Sequence, residues 1–187
     1  VKMGFIPANR GFFSNALAAE MRAKTIQVME AAGIEVVVPS EAMTNVGCVE
    51  GYQEAKIVAK LFRAADVDGI LVGAVNFGDE SGVALTVKMA ELNVPVMIFG
   101  CQETGRLSLS MERRDAFCGL LSIGDVLRQI GAKYSVARVP ICYPTDASFA
   151  QDLSWFSGVC RIVKSVRRAR YGQIGTRPDN FWTCRFN

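Results

Sequence analysis

Histidine is absent from the 187 residues. That removes a Ser-His-Asp triad, a Cys-His dyad and any His-ligated zinc from the chemistry these residues can perform alone. No cysteines are spaced as C-x-x-C, although six occur, at 48, 101, 118, 142, 160 and 184. Several lie inside apolar runs, such as Phe117-Cys118-Gly119 and Val159-Cys160. They are expected to be buried thiols of a reducing cytosol, not a disulfide framework. No apolar run is long enough to span a bilayer, and no charged-apolar-small signal opens the chain. A cytoplasmic protein without membrane contact is therefore expected. Also missing are the G-x-G-x-x-G of a dinucleotide site and the Walker A sequence; the loop after the first strand has Gly11 alone. Nucleotide chemistry is disfavoured on that ground.

The formal net charge is only +3. Basic residues gather late, at Lys164, Arg167, Arg168 and Arg170, with helical spacing. Such spacing fits a solvated helix face better than a nucleic-acid surface, and no nucleic-acid partner is expected. Half of the residues are hydrophobic, enough for a sizeable core. The length suffices for one α/β domain and the opening of a second.

Strand, turn and helix signals alternate along the chain. Residues 2–7 form an apolar run broken by Pro7. Ser14 suits a helix cap, with Leu17, Met21, Val28 and Ala32 at helical spacing behind it and Gly33 closing the helix. Residues 34–38 are β-branched and continuous. A second helix carries Tyr52, Ala55, Ala59 and Phe62 on one face. Residues 67–75 form the next strand, and the acids of Asp79-Glu-Ser81 stand at the start of a third helix, where its dipole favours them. That helix is expected to end near Asn93, before a strand at 95–99. A polar stretch, 102–114, leads to a helix burying Leu120, Ile123, Leu127 and Ile130. The fifth strand lies within 134–142. Thr145 or Asp146 caps a fifth helix with Phe149, Leu153, Phe156, Cys160 and Val163 inside.

Continuous β-branched runs belong to strands covered on both faces. The pattern predicts a Rossmann-like (flavodoxin-like), doubly wound parallel sheet over residues 1–145. Residues 146–170 are expected to form a linking helix, and 171–187 the start of a second, truncated domain. In that last stretch Phe181, Thr183 and Arg185 alternate with Trp182, Cys184 and Phe186, a period-2 strand that needs a partner. With Val1 in place of an initiator Met, these features suggest a piece of a larger protein.

Ligands of open α/β sheets bind beyond the carboxyl ends of the strands. The polar loops placed there are Pro7-Ala-Asn-Arg-Gly-Phe-Phe, Gly73-Ala-Val-Asn-Phe-Gly-Asp-Glu and Gly100-Cys-Gln-Glu-Thr-Gly. Amides and Arg donate to hydroxyl oxygens and carboxylates accept from hydroxyls, so this rim suits a polar, neutral, hydroxyl-rich ligand. Asn9, Arg10, Phe77, Gln102 and Asp115 are the candidate substrate-binding residues. Each has a plainer reading. Asn9 and Arg10 suit a turn cap or a pair with Glu20. Phe77 suits the core, and Gln102 and Glu103 suit loop solvation. Glu112-Arg113-Arg114-Asp115 suits a self-paired surface run, with Asp115 as a helix cap. Cys101 and Cys118 lack an adjacent base and read as packing.

The ordered set of motifs resembles the L-fucose/L-arabinose isomerase family. It comprises Lys2-Met-Gly-Phe-Ile-Pro, Leu71-Val-Gly-Ala-Val-Asn-Phe, Leu92-Asn-Val-Pro-Val-Met-Ile-Phe-Gly-Cys-Gln, Asp115-Ala-Phe-Cys-Gly, Trp155, and Ala169-Arg-Tyr-Gly-Gln-Ile-Gly-Thr-Arg-Pro. The segment Arg177-Pro-Asp-Asn-Phe-Trp-Thr-Cys-Arg resembles the fucose-isomerase-like branch. The resemblance implies the N-terminal portion of an aldose–ketose isomerase that uses a divalent metal, usually manganese, and a carboxylate pair. The metal ligands are then expected beyond Asn187, so this chain has no catalytic or metal residue and is inactive alone. It is expected to cover a neighbour's sugar site in a homotrimer or hexamer. By position, Asn9 matches an amide that reaches that sugar, Phe77 an aromatic wall, and Asp115 a Gln of arabinose isomerases; Arg10 and Gln102 are adjacent. A non-catalytic sugar- or small-ligand-binding module is the competing reading.

Overall fold

The computed structural model describes residues 1–172 together with Ile174, Gly175, Asn180 and Thr183. The expected C-terminal strand lies, apart from Thr183, outside these residues. Five strands form one sheet: β1 (Lys2–Ala8), β2 (Glu35–Val37), β3 (Gly69–Ala74), β4 (Val96–Cys101) and β5 (Tyr134–Cys142). Their order is β2-β1-β3-β4-β5, and every pairing is parallel. The helices are α1 (Asn15–Ala31), α2 (Gly51–Ala65), α3 (Glu80–Ala90), α4 (Ala116–Gln129) and α5 (Ala147–Arg167). This is the doubly wound, Rossmann-like architecture that the alternation predicts.

Two cores sandwich the sheet. Met3, Phe5, Leu71, Met97 and Phe99 face α1 and α5; Ile6, Val72, Val96 and Ile98 face α2, α3 and α4. β1, β3 and β4 are buried almost throughout, hence their apolar sequences lack alternation. β5 departs from this expectation. It is an edge strand with much of its middle exposed. Its pairing jumps from Ile98↔Val136 to Gly100↔Ile141, so the edge bulges outward around Arg138 and Pro140. A bulge and a residue without N–H both blunt an edge that would otherwise pair with another chain.

Helix faces also depart in detail. α1 buries Met21 as expected, but with Ala18, Thr25 and Met29 in place of Leu17, Val28 and Ala32. Thr25 can be buried because its hydroxyl donates to the Met21 carbonyl at 2.7 Å. Tyr52 is 53% exposed, and Val58 takes its place on the inner face of α2. α3 stops at Ala90, where Glu91 turns left-handed. Cys118 is exposed, unlike the buried Cys48, Cys101, Cys142 and Cys160. The expected caps do form at two starts: Ser14 Oγ accepts from Leu17 N at 3.4 Å, and Asp79 Oδ1 from Gly82 N at 2.7 Å. α5 buries Phe149, Leu153, Phe156 and Cys160 in the same core as α1, so the helix expected to link two domains also covers this sheet.

One contact ties the fold to its loops. Gly119 of α4 lies so close to the β3–α3 loop that a Cβ there would stand 1.6 Å from the Phe77 carbonyl oxygen. Only glycine lets α4 pass beneath Phe77. Gly119→Ala is expected to displace that loop and cost about 1–3 kcal/mol or more by overpacking. Thermal unfolding of the variant checks this, and a midpoint equal to the wild type would contradict it.

Candidate functional site

The strand order reverses between β1 and β3, and their carboxyl ends open into a crevice there, the switch point where such sheets bind ligands. Each of the two strands is followed within two residues by an asparagine, Asn9 and Asn76, and both are fully buried. The Asn76 amide donates to Asn9 Oδ1 across the crevice. Asn9 Nδ2 donates to Asn15 Oδ1 at 2.9 Å and to Glu50 Oε1. Asn76 Oδ1 accepts from the backbone N–H of Arg10 at 3.2 Å and of Gly78 at 3.0 Å. Each buried amide is thus satisfied by the chain itself, as burial of a polar group demands. Asn45 extends the network by donating to Asn15 Oδ1 at 3.3 Å and Glu50 Oε1 at 3.1 Å.

The amide network presents Arg10 and Phe77 at the rim. Arg10 Nε donates to the Gly78 carbonyl at 2.9 Å, and its Nη2 pairs with Glu80. Its guanidinium lies 4.6 Å from the Phe77 ring centroid, a cation–π contact. Phe13 stacks on Phe77 at 5.8 Å, and Phe12 lies 4.9 Å from Phe13 with 80% of its surface exposed. The expected Arg10–Glu20 pair does not form. Glu20 instead meets Lys24 at 2.7 Å and Arg114 at 3.2 Å. Lys24, first by its hydrogen bond, holds the Glu20 carboxyl below its ordinary range.

Gln102 and Asp115 stand in a second cluster, organised by Arg114. Far from a surface charge, Arg114 is 1% exposed. Its guanidinium donates to Thr104 Oγ1 at 2.8 Å, to Glu20 Oε2 at 3.2 Å and to the Gln102 carbonyl at 3.4 Å. Glu103 Oε1 accepts from the backbone N–H of Arg114 at 2.7 Å and of Asp115 at 2.8 Å. The Gln102 side chain is exposed. Asp115 holds the N-cap position of α4 in a left-handed conformation, without a capping bond from its side chain. The Asp115 carboxylate near the exposed Cys118 thiol raises that group's pKa. Burial pushes Cys48 to about 12 and Cys101 higher still, which keeps both as thiols. Between the two clusters runs a cleft of about 320 Å³ lined by Phe12, Phe13, Ser14, Met111, Glu112 and Arg113. A cleft of about 420 Å³ lies at the opposite end of the sheet, lined by Pro95, Lys133 and Arg167 among others, away from every candidate residue.

The sequence reading groups Asn9, Arg10, Phe77, Gln102 and Asp115 on one rim; the structure brings the first three together, sets Gln102 and Asp115 apart in the Arg114 cluster, and adds Asn76, Glu50, Glu80 and Arg114, which that reading does not single out as binding residues. Asn76 carried a usable signal: like Asn9, it is the first polar residue after a buried strand. Glu50 and Arg114 carried none, because their partners are distant in sequence. No group of three or more Asp, Glu or Cys side chains among the described residues is arranged to hold a metal ion. No helix among them is long and apolar enough to cross a membrane.

Fold and rim together define a doubly wound α/β domain with a polar, partly exposed rim at its switch point. Residues 4–167 match the family described as fucose/sulfoquinovose isomerase, N-terminal domain, and the chain belongs to that family. No curated protein and no solved structure matches it.

Two outcomes follow from this geometry. Arg114→Met removes the cation that joins Glu103, Thr104 and Glu20, leaving Glu20 with Lys24 alone, and is expected to destabilise the fold by about 2–3 kcal/mol, the scale of a hydrogen-bonded charge. Chemical denaturation reads that loss, and Arg114→Lys should recover only part of it, since an ammonium cannot span all three acceptors. Glu54 supplies the second. Burial, opposed by its bonds from the Asn45 and Glu50 backbone, raises its pKa in the folded state. The folded protein then holds this proton more tightly than the unfolded chain. Stability from this group is greatest at acid pH and falls as pH rises from the ordinary carboxylate range through the raised value. Glu54→Gln should flatten that part of the stability–pH profile; an unchanged profile would refute the assignment.

Proposed function

We propose that this chain is the pocket-covering N-terminal portion of a metal-dependent aldose–ketose isomerase acting on a fucose-type sugar. Family membership supports the isomerase reading. The observation that carries the site is the Arg10–Phe77 pair, held at the β1/β3 crevice by the buried Asn9–Asn76 amides. Manganese is the expected ion. The described residues do not fit a metal site, and its ligands belong to later parts of the longer enzyme.

The work of this chain is then binding, orientation and exclusion of water. The Phe77 ring offers an apolar wall to the C–H face of a sugar. Arg10 Nη1 donates to nothing among the described residues and is available to a hydroxyl oxygen. Asn9 is buried with both amide hydrogens engaged, so its role is to brace the loop that aims Arg10. Gln102 and Asp115 shape the far rim through the Arg114 cluster. Assembly as a homotrimer or hexamer brings this rim over a neighbour's active site and expels water from it.

The test uses the full-length enzyme with manganese and L-fucose or D-arabinose, following ketose formation. The full-length protein is expected to isomerise one of them and this chain alone neither. Arg10→Ala and Phe77→Ala should raise KM about tenfold, with manganese affinity unchanged, as expected for lost binding contacts. Equal loss of metal binding would count against a covering role. Absence of ketose from the full-length enzyme, together with ligand binding by this domain, would favour a non-catalytic binding module.

A further inference from the structure

The cleft of about 420 Å³ at the amino ends of the strands has no part in the isomerase reading. Its volume falls within the range of small-molecule sites. Ile70, Val87, Val94 and Val163 give it apolar walls, and no aspartate or glutamate lines it. The two charged residues that do are Lys133 and Arg167.

Cations at this end of a parallel sheet have an ordinary explanation. Helices end here, and their last carbonyls attract positive charge. Other residues meet that demand. Arg63 donates from Nε to the Ala90 carbonyl at 3.2 Å and from Nη2 to the Met89 carbonyl, at the end of α3. In an adjoining cleft, Lys164 pairs with Asp68 at 2.6 Å and Arg168 with Asp66 at 2.7 Å. Arg167 gives Nη1 to the Asn93 carbonyl, and its Nε and Nη2 stay unengaged among the described residues. Lys133 is exposed, and its ammonium has no hydrogen-bond or ion-pair partner among them. The backbone adds donors. Glu91 and Asn93 turn left-handed, with φ of 55° and 51°, so the connection from α3 to β4 neither prolongs the helix nor joins the sheet. The N–H groups of Leu92, Asn93 and Val94, residues that all line the cleft, have no acceptor among the described residues.

We infer that this cleft binds a small organic anion, a single acidic group on an apolar body. Lys133, Arg167 and the Leu92–Val94 N–H groups supply charge and donors to the acidic group, which has acceptor oxygens only. The valines and Ile70 supply the wall for the body. An inorganic anion would leave that wall in water, and an uncharged apolar molecule would leave the spare donors without a partner. The site lies at the far end of the sheet from Arg10 and Phe77, so it neither requires nor alters the isomerase reading.

Hexanoate is the probe, with hexanol and acetate as its apolar and charged halves. Binding of each to the full-length protein is followed by saturation-transfer NMR at low ionic strength. Hexanoate is expected to bind with a Kd of about 1–10 mM, an ordinary affinity for so few atoms, and at least about fivefold more tightly than either control. Lys133→Gln and Arg167→Gln should each raise that Kd about threefold, the scale of one exposed ion pair. Added salt should weaken hexanoate binding in the wild type, because it screens exposed charges. Lys133 has no internal partner to lose, so Lys133→Gln should keep the wild-type thermal midpoint. Arg161→Gln removes a cation from the same helix as Arg167 but outside the cleft, and should leave the Kd unchanged. Hexanol bound as tightly as hexanoate overturns the anion. Hexanoate binding that ignores Lys133→Gln and Arg167→Gln, or that Arg161→Gln weakens equally, overturns the location. No hexanoate signal at tens of millimolar overturns the site itself.

Discussion

The amide pair Asn9–Asn76 is the constraint on which the candidate site depends. β1 and β3 are adjacent and parallel, and each ends in a loop that must turn away toward its own helix. The first residues of those loops are still at core depth, where unpaired backbone N–H groups are costly. Asn76 Oδ1 takes up two of them, from Arg10 and Gly78, and its amide clamps Asn9. Leaving any of these groups unsatisfied would cost about 1–3 kcal/mol. The two loops are therefore fixed relative to each other before any ligand arrives. Arg10 and Phe77 inherit that rigidity, which is what a binding group needs if little ordering entropy is to be lost on contact.

The second cluster solves a similar problem with charge. The stretch 102–114 has no regular structure and several exposed apolar side chains, Leu107, Leu109 and Met111 among them. It is anchored at its end, where Arg114 turns inward to Thr104, Glu103 and the α1 residue Glu20. A buried guanidinium suits this role because its fixed fork reaches several acceptors at once. The two clusters meet through α1: Asn15 joins the amide network, and Glu20, further along the same helix, joins the Arg114 network. A shift of α1 would thus move both rims together.

The sheet was legible in the sequence because its signals are local and redundant. Apolar runs, helix-spaced cores and caps at Ser14 and Asp79 agree with one another. The α1 stripe was misread because Thr25 pairs with its own helix backbone and so enters the core. β5 was misread as a covered strand on its Val, Ala and Ile residues, although Arg138 and Pro140 among them mark an edge. Arg10 and Phe77 could be named from their place after strands. Their partners Glu50 and Glu80 could not, since nothing in the chain order brings residues 40–70 positions apart to one oxygen. Arg114, flanked by Arg113 and Asp115, looks like a surface charge until the loop from Gln102 is folded around it.

Helix polarity accounts for the character of the crevice. In a parallel α/β sheet, helices begin near the carboxyl ends of the strands, so α1, α2 and α3 aim their N-terminal N–H groups toward this end. Free donors of that kind make anion sites. Here the chain supplies its own acceptors, one hydroxyl and two carboxylates. Ser14 caps α1, Glu54 takes the Glu50 N–H at the head of α2, and Asp79 takes the Gly82 N–H in α3. These side chains take up N–H groups at the helix starts. At the far end of the sheet the dipoles reverse, and there the C-terminal residues Lys164 and Arg167 turn to Asp68 and the Asn93 carbonyl. These internal pairs engage polar groups on the rims of the two clefts at that end.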